Sequence, residues 1–166
     1  MKCFFFLIAI LLSTTIFAQQ DNTLPPYKRY PTVPGLQLLS LDSTVYTKEN
    51  LPKKRQLLVM LFSPDCDHCQ HEAEELVANK EGFRDKQILM VSTYPLFRVK
   101  EFAVKYGLDQ MENVTLTKDP FYNLIAFYAV RSLPHLALYN RKGDLIQTYS
   151  GKVGIDKVLT MFAENK

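Results

Sequence analysis

Two cysteines stand three apart in the run Cys66-Asp67-His68-Cys69. A thiolate, not a thiol, attacks a disulfide. Two intervening residues put the second sulfur about one helical turn on, close enough to attack the first in return. Cys66 is therefore expected to be the partly exposed nucleophile and Cys69 the buried resolving thiol. A structural staple is a poor reading, because a bond across so short a loop restrains the unfolded chain little. Zinc is a poor reading too. The histidines are His68, His71 and His135, and there is no second Cys-x-x-Cys to complete a ligand set. No metal and no cofactor is expected.

The flanking residues must position the pair. Leu57-Leu58-Val59-Met60-Leu61-Phe62 is a continuous apolar run, which suits a strand buried on both faces. Ser63-Pro64-Asp65 breaks it. Cys69, Ala73, Leu76 and Val77 then recur at helical spacing, with Gln70, Glu72, Glu74 and Glu75 between them. A strand thus runs into a loop, and the cysteine motif opens a helix. A helix N-terminus carries unpaired N–H groups and about half a positive charge, which favours a thiolate there.

The run VMLFSPDCDHC resembles the active site of the thioredoxin superfamily, and most of all its secreted or membrane-tethered TlpA/ResA type. The likeness runs from about Val33 to the C-terminus. It implies an α/β thioredoxin fold: a mixed central sheet flanked by helices, with an N-terminal β-hairpin extension and a helical insertion. It implies that Leu133-Pro134 is a cis-proline turn against the redox pair, where the backbone of Leu133 meets an extended substrate. In thioredoxin itself a buried acid on the strand serves the resolving thiol; here that position is Met60, so Glu72, Glu74, Glu75 or water must substitute. Asp65 replaces the usual aromatic residue before the first cysteine, and a carboxylate there disfavours a thiolate. His68 resembles the histidine of the strongly oxidising members and acts the opposite way. Asp65, Asp67 and His68 are thus the expected tuning residues, and Leu133 and Pro134 the expected substrate-binding ones. For Asp65 and Asp67 the plainer reading is helix N-capping.

The rest of the chain fits one domain of this kind. Its 166 residues are 47% hydrophobic, enough for one core. Residues 1–18 read as a secretory signal peptide: Lys2, an apolar stretch from Cys3 to Leu12, and a small residue, Ala18, at the cut. Removing Lys2, the only charge there, takes the net charge from +3 to +2, which argues for neither nucleic acid nor a membrane surface as partner. No span is expected in the mature chain. Residues 19–35, with four prolines, read as an extended lead-in, and 36–166 as the thioredoxin-like domain. Within it, Leu36–Leu41 and Thr44–Tyr46 read as a hairpin, and Asp119-Pro120 as an N-cap followed by the first residue of a helix.

The function these readings support is an exported thiol–disulfide oxidoreductase, expected in the periplasm of a bacterium. It would be a monomer that acts on protein thiols and disulfides with an unidentified redox partner protein. A thiol peroxidase is the chemical alternative, for which Pro64 and Arg131 are faint echoes. A non-enzymatic thioredoxin-like binding module is the other.

Overall fold

Leu57–Leu61, the apolar run, forms β3, and every one of its side chains is buried. The computed structural model describes residues 24–165. The signal peptide expected at residues 1–18 and the start of the expected lead-in lie outside those residues. In chain order the elements are α1 (Pro26–Arg29), β1 (Leu38–Ser40), β2 (Val45–Tyr46), β3, α2 (Asp67–Ala78), β4 (Gln87–Ser92) and α3 (Leu96–Tyr106). They continue as β5 (Val114–Lys118), α4 (Asn123–Tyr128), β6 (His135–Tyr139), β7 (Leu145–Ser150) and α5 (Ile155–Glu164).

The seven strands form one mixed sheet in the order β2-β1-β5-β4-β3-β6-β7. β3, β4 and β5 run parallel, so their connections need crossovers, which α2 and α3 supply. β6 pairs antiparallel with β3 and β7, and the β1–β2 hairpin adds antiparallel to β5. The consequence for the site lies at one end of the sheet. Leu61 pairs with His135, so the loop leaving β3 and the loop entering β6 are neighbours.

The period-two alternation of β3 divides the core. Leu58, Met60 and Phe62 face a cluster with Cys69, Ala73, Leu76, Phe102 and Phe162, from the side of α2, α3 and α5. Leu57, Val59 and Leu61 face Val33, Leu124, Tyr128 and Tyr139, on the side of α4. A strand covered on both faces must be apolar at every position, which is why β3 shows no alternation of polarity. Truncating one of its leucines to alanine would cost about 2–5 kcal/mol.

Two expectations need correction. The Pro-rich lead-in is not extended throughout, because Pro26–Arg29 makes one helical turn. Proline at the first helical position loses no hydrogen bond and already has the right φ. The helix expected from Pro120 starts only at Asn123. Asp119 does cap it, but across a turn: its fully buried carboxylate accepts the N–H of Leu124 at 2.8 Å and of Phe121 at 3.2 Å. Gly107 ends α3 at φ 70°, a conformation glycine adopts without strain.

His135, next to the proline loop, is 3% exposed. Its Nδ1 lies 2.9 Å from the Ser150 hydroxyl, and Nε2 has no hydrogen-bond partner among the described residues. Burial pushes its pKa down from 6.5 to about 4. Between those values the unfolded chain binds the extra proton and the folded chain does not. Stability is therefore full above about pH 6.5 and falls as the pH drops toward 4, at up to about 1.4 kcal/mol per pH unit. Urea unfolding against pH should show this acid limb, and His135→Gln should flatten it. An equally steep limb in the variant would mean that other groups cause it.

Candidate active site

The turn after β3 is tied down by its own polar groups. The Ser63 carbonyl accepts the N–H of Cys66 at 3.2 Å, and the Ser63 hydroxyl accepts the N–H of Asp65 at 3.2 Å. Gln70 reaches back and donates to the Pro64 carbonyl at 2.9 Å. These bonds hold Cys66 at the N-cap position of α2, with extended backbone at φ −93° and ψ 115°. Its sulfur does the capping. Sγ accepts the N–H of Cys69 at 3.4 Å, so a free helix-start donor is aimed at the sulfur. The N-capping expected of Asp65 or Asp67 is thus not what the structure shows. Asp67 is an exposed residue of the first turn of α2, and Asp65 precedes the cap.

From the other side, the Cys66 thiol donates to the Leu133 carbonyl at 3.7 Å. The Leu133–Pro134 peptide bond is cis, and Pro134 is buried. β3 and β6 therefore deliver Cys66 and the proline turn to the same point. Both cysteines are free thiols, Cys66 half-buried and Cys69 fully buried. Burial, first, and then contact with Cys66 push the Cys69 thiol pKa well up, and the negative charge of Glu72 adds to this.

Among the three glutamates of α2 the structure separates the roles. Glu74 is exposed. Glu75 is engaged: one oxygen lies 2.8 Å from His71 Nε2, and the other accepts the N–H of Ile155 at 3.1 Å, at the start of α5. Glu72 is 0% exposed, and neither carboxylate oxygen has a hydrogen-bond partner among the described residues. Desolvation raises its pKa, with the nearby charge of Glu75 second; the backbone N–H of Val153 offsets part of this while falling short of hydrogen-bond geometry. Met60, on β3, lies in the same core cluster as Cys69 and offers no acid.

His68 is exposed at the helix start. Arg131 is exposed as well. Asp65 is not the free charge its position suggests. Its Oδ1 is 2.5 Å from Nη2 of Arg98, in the first turn of α3. No motif foretells Arg98, because the two residues are 33 positions apart and meet only through the packing of α2 on α3. Among the described residues no group of three or more His, Cys, Asp or Glu side chains could hold a metal ion, and no helix is long and apolar enough to cross a membrane.

Known proteins share this fold. Thioredoxin-like protein SkfH of Bacillus subtilis is 22% identical over 116 residues, covering 68% of this chain and 80% of the relative. A secreted Mycobacterium tuberculosis disulfide oxidoreductase, homologous to E. coli DsbE, superposes with a TM-score of 0.66 at 18% identity, over 78% of this chain and 95% of that one. Peroxidoxin BcpB of Mycobacterium tuberculosis gives 0.69 at 16% identity, over 81% and 96%. At these identities the superpositions speak for the fold alone. The thioredoxin-like domain model matches residues 45–165, which takes in the cysteine motif, the proline turn and six of the seven strands. With that match covering most of its length, the chain belongs to the thioredoxin-like domain family.

Proposed function

We propose that the protein is an exported thiol–disulfide oxidoreductase that exchanges disulfides with protein substrates. The observation that carries this reading is the placement of Cys66 Sγ, between the N–H of Cys69 at 3.4 Å and the Leu133 carbonyl at 3.7 Å. The first partner is the helix start, which stabilises a thiolate. The second belongs to the backbone that an extended substrate would meet beside Pro134.

In the reducing direction the Cys66 thiolate attacks one sulfur of a substrate disulfide. The other substrate sulfur leaves as a thiolate, and a mixed disulfide forms. Cys69 then loses its proton and attacks Cys66 Sγ. The second substrate thiol leaves, and the protein is left with a Cys66–Cys69 disulfide. Two electrons pass to the substrate; the reverse sequence oxidises it. The resolving step needs a proton acceptor, because burial holds Cys69 protonated. Glu72 fits that role: it is buried, unpartnered among the described residues, and its charge acts on Cys69. His68, at the positive end of α2, is the residue we assign to raising the potential. The leader-like pattern of residues 1–18 supports export, to the periplasm in a bacterium.

Peroxide chemistry is the reading to test beside this one, since the fold serves both. Here the retained Cys69 favours exchange.

Brief alkylation of the reduced protein at neutral pH should label Cys66 and spare Cys69, as peptide mass mapping will show. Cys69→Ser should then accumulate Cys66-linked mixed disulfides with exported proteins. Preferential labelling of Cys69, or rapid peroxide turnover with no trapped partner, would overturn the assignment.

Glu72→Gln separates acid–base work from packing. Stopped-flow release of a small thiol from its mixed disulfide with Cys66 should slow by about 10²-fold, the low end of general-base effects. Because a carboxylate with a raised pKa destabilises the fold once ionised, the same variant should be more stable than the wild type at neutral pH. Unchanged release would remove Glu72 from the mechanism.

A further inference from the structure

Arg98 stands where helix electrostatics disfavours it. It is the third residue of α3, whose first turn contains no acidic residue to balance a cation. A positive charge there opposes the helix dipole. Its surroundings hold it in place nonetheless. The guanidinium carbon lies 6.0 Å from the Tyr94 ring centroid, Nε is 3.7 Å from Glu101, and Nη2 reaches Asp65 at 2.5 Å. Placing a residue against its local preference is explained when it serves another part of the fold. Here that part is the residue immediately before Cys66.

We infer that Arg98 is a positioning residue for the redox pair: through its ion pair with Asp65 it holds the active-site loop against α3 and cancels the carboxylate that precedes Cys66. The inference rests on the reading of Cys66 as the nucleophile. An unpaired carboxylate beside Cys66 would raise the energy of the thiolate. The reduced protein carries that thiolate, and the disulfide does not. Whatever destabilises the thiolate therefore makes the pair more reducing and slows its attack. Asp67 also neighbours Cys66, but it lies in the first turn of α2, where the helix dipole favours its charge. Asp65 precedes the helix, and Arg98 does for it what the dipole does for Asp67. Glu101 on α3, which meets Arg98 Nε at 3.7 Å, and His68 on α2 are both exposed. The Arg98 and Asp65 side chains are 36% and 54% exposed, so solvent and salt weaken the pair.

The test is a double-mutant cycle with two readouts: the alkylation rate of Cys66 at pH 7 in low salt, and the equilibrium of the full chain with glutathione. Arg98→Gln should slow alkylation about three- to fivefold, the upper range of a partly exposed charge effect, and shift the equilibrium toward the disulfide. Asp65→Asn should do the opposite. The double variant should return to within about twofold of the wild type, and Arg98→Lys should keep part of the effect. Raising the salt to about 1 M should shrink all the differences. If Arg98→Gln lowers the melting temperature but moves neither readout, Arg98 is merely structural and the inference fails. It also fails if the double variant stays as slow as Arg98→Gln, since Arg98 would then not act through Asp65. Alkylation needs only a reactive thiolate. The cycle therefore reports on the ion pair even if the wild type proves unable to exchange disulfides, which would defeat the proposed function instead.

Discussion

Everything at this site depends on a sulfur taking the place of a capping oxygen. The first turn of a helix has N–H groups without partners, and a side chain usually supplies one. In α2 the supplier is Cys66, whose Sγ accepts the N–H of Cys69. Neutral sulfur is a weak acceptor, and ionisation to the thiolate makes it a stronger one. The helix start is thus better satisfied when Cys66 is ionised than when it is not. The same residue that serves the fold is given a reason to be reactive. Ser63 and Gln70 fix the turn that makes this possible.

The second requirement is that water should reach one sulfur and not the other. The core of α2, α3 and α5 provides it by enclosing Cys69 among Met60, Ala73, Leu76 and Phe102. Enclosure has a chemical drawback, because a buried thiol resists ionisation. In the proposed mechanism Glu72 answers it from one turn further along α2, at a cost to the fold, since its carboxylate is buried without a hydrogen-bond partner among the described residues. A buried, unpartnered carboxylate whose charge acts on the Cys69 thiol fits the proposed chemistry better than it fits packing.

Much of this was legible in the sequence because it is local. The β3 run, the helical spacing of Cys69, Ala73 and Leu76, and the β1–β2 hairpin each rest on a short-range period, and all formed. The mixed sheet was implied by the likeness to the thioredoxin superfamily. What was not legible depends on tertiary contacts. Three glutamates within four positions of α2 look alike in sequence; only the docking of α5 shows that Glu75 is taken by Ile155 while Glu72 is sealed in. Arg98 and Asp65 meet across 33 residues with no pattern to announce it. The prolines of the lead-in suggested an extended chain, yet Pro26 opens a helical turn, because proline is as compatible with a helix start as with polyproline geometry.

The central claim is that Cys66 and Cys69 interconvert between dithiol and disulfide and pass two electrons to a partner. The reduction potential of the pair tests it most directly, by equilibrating the protein with defined ratios of reduced and oxidised glutathione and quantifying both forms by alkylation and mass spectrometry. The account predicts one reversible two-electron transition, between about −270 and −120 mV, the span from thioredoxin to the strongest oxidants of the superfamily. Two thiols that remain reduced across the whole range, or that oxidise only irreversibly and separately, would contradict it.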